Sequence, residues 1–218
     1  MIYSNGRKLY LSGWLKQHNE LEYNTPLKLQ KFLLFYEAFT KVSGETPDFD
    51  HLRGYKRGPV FSNVWGDYTK ERELFDKMAE KRYSLQGNEV NEERALKCAF
   101  IVAVLSEREL SDLTHRMNIW KAKEKRILAG ERQVELEERD FNQDDRKLIS
   151  LLDQMYPIDM IKNSAIVSLD NNFFVFQKKD ATQLTEEHFD TLMSLAEKES
   201  LNNPVYVEIN EEGRLIID

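Results

Sequence analysis

The sequence predicts a mainly helical protein that ends in a small region of mixed strands and helix. Up to Pro157, apolar residues mostly recur every three or four positions, which is the spacing of an amphipathic helix. Beyond Pro157, short apolar runs flank turn-forming residues, which is typical of β-hairpins. We therefore predict a helical domain over residues 1–157 and an α+β extension over residues 158–218.

The composition is that of a folded protein with an acidic surface. The chain has 218 residues, of which 41% are hydrophobic and 32% charged, so it can bury a substantial core. A net charge of −7 disfavours non-specific binding to nucleic acid. The single cysteine, Cys98, excludes an intrachain disulfide and a thiolate metal cluster. The longest apolar run, residues 99–105, is too short for a membrane helix, and no signal segment opens the chain. We expect a cytoplasmic protein without a cofactor.

The first two predicted helices cover residues 7–18 and 26–41. The spacing of the apolar residues in the first favours helix over strand. Asn24 or Thr25 can cap the second, and Pro26 suits its first position because the missing N–H has no partner there. Apolar residues cover most of this second helix, so we predict that it is the central helix of the domain.

Polar residues of the central helix fall into two groups. Gln30, Glu37 and Lys41 share a narrow polar stripe. Lys28 lies within the apolar face, so its stem must pack and its ammonium needs a partner. A structural ion pair is the first interpretation of Lys28, and a ligand contact is the alternative.

The middle of the chain continues with loops and helices. Residues 48–56 are predicted as a loop, and a helix with Val64, Trp65 and Tyr68 on its apolar face follows. A second helical piece carries Phe75, and residues 82–90 are predicted to be extended. Three further helices are predicted to begin after the capping residues Asn91, Ser106 and Asn142.

The extension is predicted to contain two hairpins around one helix. Residues 165–169 and 173–177 flank an Asp-Asn-Asn turn, and residues 205–209 and 214–217 flank a second turn. A helix that opens at Thr185 lies between the two pairs, which gives the order β-β-α-β-β.

Motifs for catalysis are weak, so we predict that the protein binds a partner and is not an enzyme. The sequence has no phosphate-binding loop and no nucleophile elbow. The alternative is a metal-dependent enzyme, in which Asp48, Asp50 and His51 would bind a divalent ion. His115 follows a helical turn, where a structural role is favoured over catalysis.

A further alternative is an operon-repressing DNA-binding protein. Arg53, Lys56 and Arg57 crowd one segment and could contact phosphates. The interpretation favoured for such a cluster is a solvated surface.

Three strings follow one another along the chain and resemble a known family. They are Thr25-Pro26-Leu27-Lys28-Leu29-Gln30-Lys31, then Arg57-Gly58-Pro59-Val60, then Leu110-Ser111-Asp112-Leu113-Thr114-His115 with Trp120. In order and spacing they resemble the Panacea domain, the antitoxin domain of the SocA-like proteins, and the resemblance covers residues 7–126. The chain departs from the family pattern at the aromatic end of the central helix, at Gly54-Tyr55 in place of Ala-Trp, and at Ile119 in place of proline.

The resemblance implies a helical antitoxin of a bacterial or phage toxin–antitoxin system. Such a protein neutralises a cognate toxin, encoded by a neighbouring gene, through direct contact. One branch of the family instead delivers its toxin to a Clp-type protease. The motif and partner-binding candidates are Lys28, Gln30, Lys31, Tyr36, Arg57, Gly58, Pro59, Val60, Thr114, His115 and Trp120.

Overall fold

The computed structural model describes residues 1–85, 90–198 and 201–218. The protein is 58% helical with 14% strand, which confirms the prediction of a mainly helical chain. Within the described part, no helix combines the length and the apolar character needed to cross a membrane.

Thirteen α-helices are present in the described residues. They are α1 (Gly6–His18), α2 (Glu20–Tyr23), α3 (Pro26–Val42), α4 (Ser62–Lys70), α5 (Arg72–Ser84), α6 (Glu92–Ala103), α7 (Glu107–His115), α8 (Asn118–Lys121), α9 (Glu124–Leu128), α10 (Gln143–Met155), α11 (Ile158–Lys162), α12 (Lys178–Ala181) and α13 (Glu186–Lys198). The strands are β1 (Leu52–Tyr55), β2 (Gly58–Phe61), β3 (Val134–Glu135), β4 (Ser164–Leu169), β5 (Asn172–Gln177), β6 (Val205–Ile209) and β7 (Leu215–Ile217).

Helix α3 is the centre of the main core, as predicted. It begins at Pro26, and its residues from Lys28 to Thr40 are all buried. Leu29, Phe32 and Leu33 are fully inaccessible to solvent. The helix contacts α6, α10 and α1 as well as β2, so its wide apolar face is covered on several sides.

Helices α1 and α5 pack at very short range because α1 has a glycine at the contact. A Cβ atom built on Gly13 would lie 2.3 Å from the carbonyl oxygen of Ala79. A methyl group there would have to push the backbone of α5 away.

A three-stranded sheet corrects the prediction for the segment after α3. The order is β2-β1-β3, and both pairings are antiparallel. The prediction of a loop over residues 48–56 is therefore wrong for Leu52–Tyr55, which pair with Gly58–Phe61. Strands β1 and β2 have only four residues each, and β1 contains Arg53 and Gly54, so its alternation is too short to indicate a strand.

Helix α5 corrects a second prediction. Arg82, Tyr83 and Ser84 were expected to be extended, but they form the last turn of α5. The rest of that predicted segment includes residues 86–89, which lie outside the described residues.

The extension contains a four-stranded sheet with the order β4-β5-β6-β7. Strands β4 and β5 form one antiparallel pair, β6 and β7 form another, and β5 pairs with β6 in parallel. Helix α13 lies between β5 and β6 in the chain and returns it for the parallel pairing. The predicted strand pairs and helix are present, but the short helix α12, which was not predicted, directly follows β5.

Strand β5 is covered on both of its faces. Phe173 and Val175 belong to the main core with the helices. Phe174 and Phe176 belong to a second core with Leu192 of α13. The alternation of side chains along a strand explains this division.

Candidate functional site

Most of the motif residues predicted from the sequence meet at one place. Helix α3, the β1–β2 hairpin and the α7–α8 segment come together there. Lys31 Nζ donates a hydrogen bond of 2.9 Å to the carbonyl oxygen of Arg57. Trp120 Nε1 donates one of 3.0 Å to the carbonyl oxygen of Tyr55, so both contacts hold the hairpin turn from opposite helical segments.

Gly58 lets these elements approach one another. Its φ angle is +103°, a conformation that favours glycine. A Cβ atom on Gly58 would lie 2.3 Å from Lys31 Nζ and 2.7 Å from Thr114 Oγ1. Both the backbone conformation and the space therefore require a residue without a side chain.

Gln30 and Thr114 complete the framework with buried hydrogen bonds. Gln30 Oε1 accepts a hydrogen bond of 2.8 Å from the backbone N–H of Phe61. The Thr114 hydroxyl lies 2.9 Å from the carbonyl oxygen of Leu110, within its own helix. Gln30 Nε2 is buried and has no hydrogen-bond partner among the described residues.

A groove of about 480 Å³ opens beside the β1–β2 hairpin and helix α3. Five of the predicted residues line it, namely Gln30, Lys31, Arg57, Pro59 and Val60. The other lining residues are Pro26, Leu27, Tyr55, Lys56, Trp65 and Glu107. The volume is within the range of roughly 300–1,000 Å³ that is usual for small-molecule sites.

Trp65 is the groove residue that the sequence placed wrongly. Helical spacing assigned it to the apolar face of α4, but its side chain is 39% exposed. It lines the groove together with residues of the hairpin and of α3. A period of 3.6 residues cannot distinguish burial in a core from exposure in an apolar groove.

Lys31 is a buried lysine without an acidic partner in the described part of the chain. Its side chain is 1% exposed, and its single hydrogen bond is the one to Arg57. Burial, with a smaller contribution from the positive charge of Arg57, lowers the pKa of Lys31 from 10.5 to about 7. The charged and neutral forms of the Lys31 amine therefore have similar populations near neutral pH.

We expect this lysine to make stability depend on pH. The folded state releases the proton at a pKa of about 7, whereas the unfolded chain keeps it up to about 10.5. Between these two pKa values the unfolded state thus binds more protons than the folded state. The free-energy cost of burying the charged Lys31 ammonium is therefore fully present below pH 7 and decreases as the pH rises. Lys31→Met should be more stable than wild type at pH 7, and this advantage should shrink by about 1 kcal/mol per pH unit up to pH 9.

Urea unfolding of both proteins at pH 7, 8 and 9 measures this difference. Other titrating groups are present in both proteins, so most of their effects cancel in the comparison. Two parallel stability curves would show that Lys31 keeps an ordinary pKa in the folded protein.

His115 and Trp120 support the groove from behind. Their rings are stacked with centroids 4.1 Å apart, and Trp120 is 2% exposed. Burial and then the charge of Lys31 lower the pKa of His115, and the charge of Asp112 and a backbone hydrogen bond to Lys56 partly offset this lowering. The neighbouring contacts support the structural role that was favoured for His115.

Lys28 and Tyr36 do not line the groove. Lys28 Nζ lies 2.8 Å from Glu22 Oε2 and 4.7 Å from the ring centroid of Phe173, which confirms the structural ion pair. Burial raises the pKa of Glu22 in spite of this pairing. The Tyr36 hydroxyl accepts a hydrogen bond of 2.8 Å from the backbone N–H of Asn91. Both residues join α3 to other parts of the chain.

Asp48, Asp50 and His51 do not form a metal site in the structure. Among the described residues, no three His, Cys, Asp or Glu side chains are placed to hold a metal ion. Asp48 Oδ2 lies 3.2 Å from Lys8 Nζ, and Asp48 Oδ1 accepts a hydrogen bond of 3.1 Å from the backbone N–H of Asp50. Burial opposes ionisation of Asp48, but the charge of Lys8 and the hydrogen bonds outweigh it and lower the pKa.

The basic segment considered for DNA binding is partly neutralised by acidic partners. Arg53 Nη1 lies 3.0 Å from Glu135 Oε1, and Arg57 Nη2 lies 2.8 Å from Glu107 Oε2. Lys56 is exposed beside them. These pairs leave less positive charge for phosphates than the sequence suggests.

Comparisons with known proteins give no match. No family model, curated protein or solved structure matches this chain. The family resemblance therefore stays a prediction that rests on the motif residues.

Proposed function

We propose that the protein is a Panacea-type antitoxin that neutralises a cognate toxin by direct binding. The observation that carries the proposal is the meeting of the three motif strings around the β1–β2 hairpin, where residues of the first two also line the groove. Gln30, Lys31, the turn at Arg57–Gly58 and Thr114 are far apart in sequence but lie around the same hairpin. This arrangement supports interpreting the strings as one structural unit, a Panacea-like domain over residues 1–157.

The groove has features that suit a protein partner. Trp65 is 39% exposed, and Leu27 and Val60 are partly exposed beside it. An ion pair between Arg57 and Glu107 lies at the same groove. Tryptophan and arginine are the residue types that most often dominate the free energy of binding at protein interfaces.

Co-expression with the neighbouring open reading frame tests the proposal. We expect the wild-type protein to rescue growth and to co-purify with the toxin. Trp65→Glu should reduce toxin recovery at least about tenfold, since a charge would enter the apolar contact. The matched control is Leu151→Glu, because Leu151 is 51% exposed on α10 and does not line the groove.

The same experiment separates the two neutralising mechanisms. Direct neutralisation predicts rescue and co-purification in a host that lacks Clp-type proteases. Rescue that disappears in that host would replace direct neutralisation with delivery to the protease. A toxin that neither binds nor is silenced would contradict both forms of the proposal.

A further inference from the structure

Two polar side chains at the base of the groove have hydrogen-bond donors that the protein leaves unused. An ammonium group carries three N–H donors, but within the described part of the chain Lys31 Nζ makes one hydrogen bond, to Arg57. Gln30 Nε2 carries two N–H donors, and neither donates a hydrogen bond to the described residues. Both side chains are 1% exposed although they line the groove. Buried polar groups are normally paired, so unused donors at a cavity indicate a missing acceptor.

The remainder of the groove is mostly apolar. Pro26, Leu27, Pro59, Val60 and Trp65 contribute hydrocarbon or aromatic surface to its walls. An apolar cavity with a few convergent polar groups is the usual form of a site for a small amphiphilic ligand. Its polar end would face the unused donors, and its apolar end would face these walls.

We propose that the groove binds a small amphiphilic carboxylate, whose anionic head is held by Lys31 and Gln30 and whose apolar chain lies along Leu27, Val60 and Trp65. A medium-chain fatty acid is the simplest ligand of this class. The proposal goes beyond the antitoxin function and does not depend on it.

The charge of the ligand follows from the partners of Lys31. Glu107 is the carboxylate that lines the groove, but it is 2.8 Å from Arg57 and forms an ion pair there. A carboxylate from outside would supply the acceptor and the countercharge that Lys31 lacks. A neutral ligand would leave a buried ammonium unpaired, which is costly.

Binding of a carboxylate should be linked to proton uptake. In the free protein the pKa of Lys31 is about 7. Only protonated Lys31 forms an ion pair with an anionic ligand, so binding favours proton uptake. The other charged or titratable groups around Lys31 are Arg57, Lys56, Glu107 and His115. Glu107 is paired with Arg57, and burial is the main cause that keeps the pKa of His115 below its usual value.

Isothermal titration calorimetry of the purified full-length protein with octanoate tests the proposal. We expect one binding site whose affinity falls about tenfold between pH 6 and pH 8, as Lys31 loses its proton. Octanamide has the same chain without the charge, and it should bind at least about tenfold more weakly than octanoate at pH 6.

Two lysine variants distinguish a specific contact of the ligand with Lys31 from a general effect of positive charge. Lys31→Met keeps an unbranched apolar stem without the charge, and it should lose octanoate binding by tenfold or more at about pH 6. Lys162→Met removes an equal charge from an exposed lysine outside the groove, and it should change the affinity by less than about twofold. Circular dichroism of each variant checks that it is folded.

Three results would overturn the proposal. Octanoate that fails to bind the wild-type protein at pH 6 would do so, as would equal binding of octanoate by folded Lys31→Met. Equal affinities for octanoate and octanamide would show that the groove binds the apolar chain without recognising the carboxylate. The titrations contain no toxin, so their failure leaves the antitoxin proposal to its own experiment.

Discussion

Glu37→Gln should lower the free energy of unfolding by about 3–5 kcal/mol, because it removes the carboxylate of a buried ion pair and leaves Asp48 as the remaining acidic partner of Lys8. Glu37 is fully buried and lies 2.6 Å from Lys8 Nζ, whose side chain is 1% exposed. It also lies 2.7 Å from Arg7 Nη2 and accepts a hydrogen bond of 2.9 Å from the backbone N–H of Asp48. The carboxylate therefore joins α1, α3 and the loop after α3 at one point.

Urea unfolding of the purified protein measures this loss. The matched control is Glu93→Gln, which removes an exposed carboxylate 2.8 Å from Lys162 and should leave the unfolding midpoint unchanged. The double variant Glu37→Gln with Lys8→Met should regain part of the lost stability, since it removes the buried cation that Glu37 no longer neutralises. If Glu37→Gln unfolds at the same urea concentration as Glu93→Gln, the buried pair does not stabilise the fold.

Trp120→Ala should also cost about 3–5 kcal/mol of unfolding free energy, because it removes a large side chain from a closed core. The indole is 2% exposed, stacks on His115 and donates a hydrogen bond of 3.0 Å to Tyr55. Its loss would open a cavity behind the β1–β2 hairpin and leave a carbonyl group without its donor. We expect the groove to lose its shape as well, since the hairpin forms one of its walls.

Two variants identify which property of Trp120 matters. Trp120→Phe keeps a ring but loses the N–H donor, so it should cost about 1–2 kcal/mol beyond repacking. Trp65→Ala removes a tryptophan that is 39% exposed, and it should cost less than about 1 kcal/mol. Urea unfolding compares all three proteins, and equal losses for Trp120→Ala and Trp65→Ala would contradict the role given to Trp120.

Helix starts could be predicted from the sequence because their signals are local. Ser106 with Glu109 forms the capping box that the sequence indicated, and Asn142 caps α10 in the same way with Asp145. These contacts join residues three positions apart, so they are visible in a single string.

The β1–β2 hairpin could not be predicted because distant residues bury it. A Cβ atom on Gly54 would lie 2.4 Å from Ile127 Cδ1 and 3.2 Å from Leu136 Cδ2, which come from far along the chain. Those contacts make β1 an inner strand, although its own four residues carry little strand pattern. Packing in the folded state thus overrides the local sequence.

The site was predicted as a set of residues but not as a geometry. Lys31 and Gly58 were motif candidates, yet the sequence contains no sign that Lys31 Nζ lies against the turn at Gly58. Glu37 shows the same limit, since the sequence assigned it to a polar stripe of α3 without a partner, and the structure buries it fully beside Lys8. Helical spacing shows which residues share a face, whereas the partner of that face comes from the tertiary fold.

Strand β5 has a consequence for protein quality control in the cell. Because Phe173 and Val175 complete the main core, a chain that ends before β5 would leave an apolar area of the helical region open to water. Newly made chains pass through this state until β5 is synthesised, and exposed apolar surface attracts chaperones and proteases. Translation past Val175 would therefore supply the side chains that cover this area.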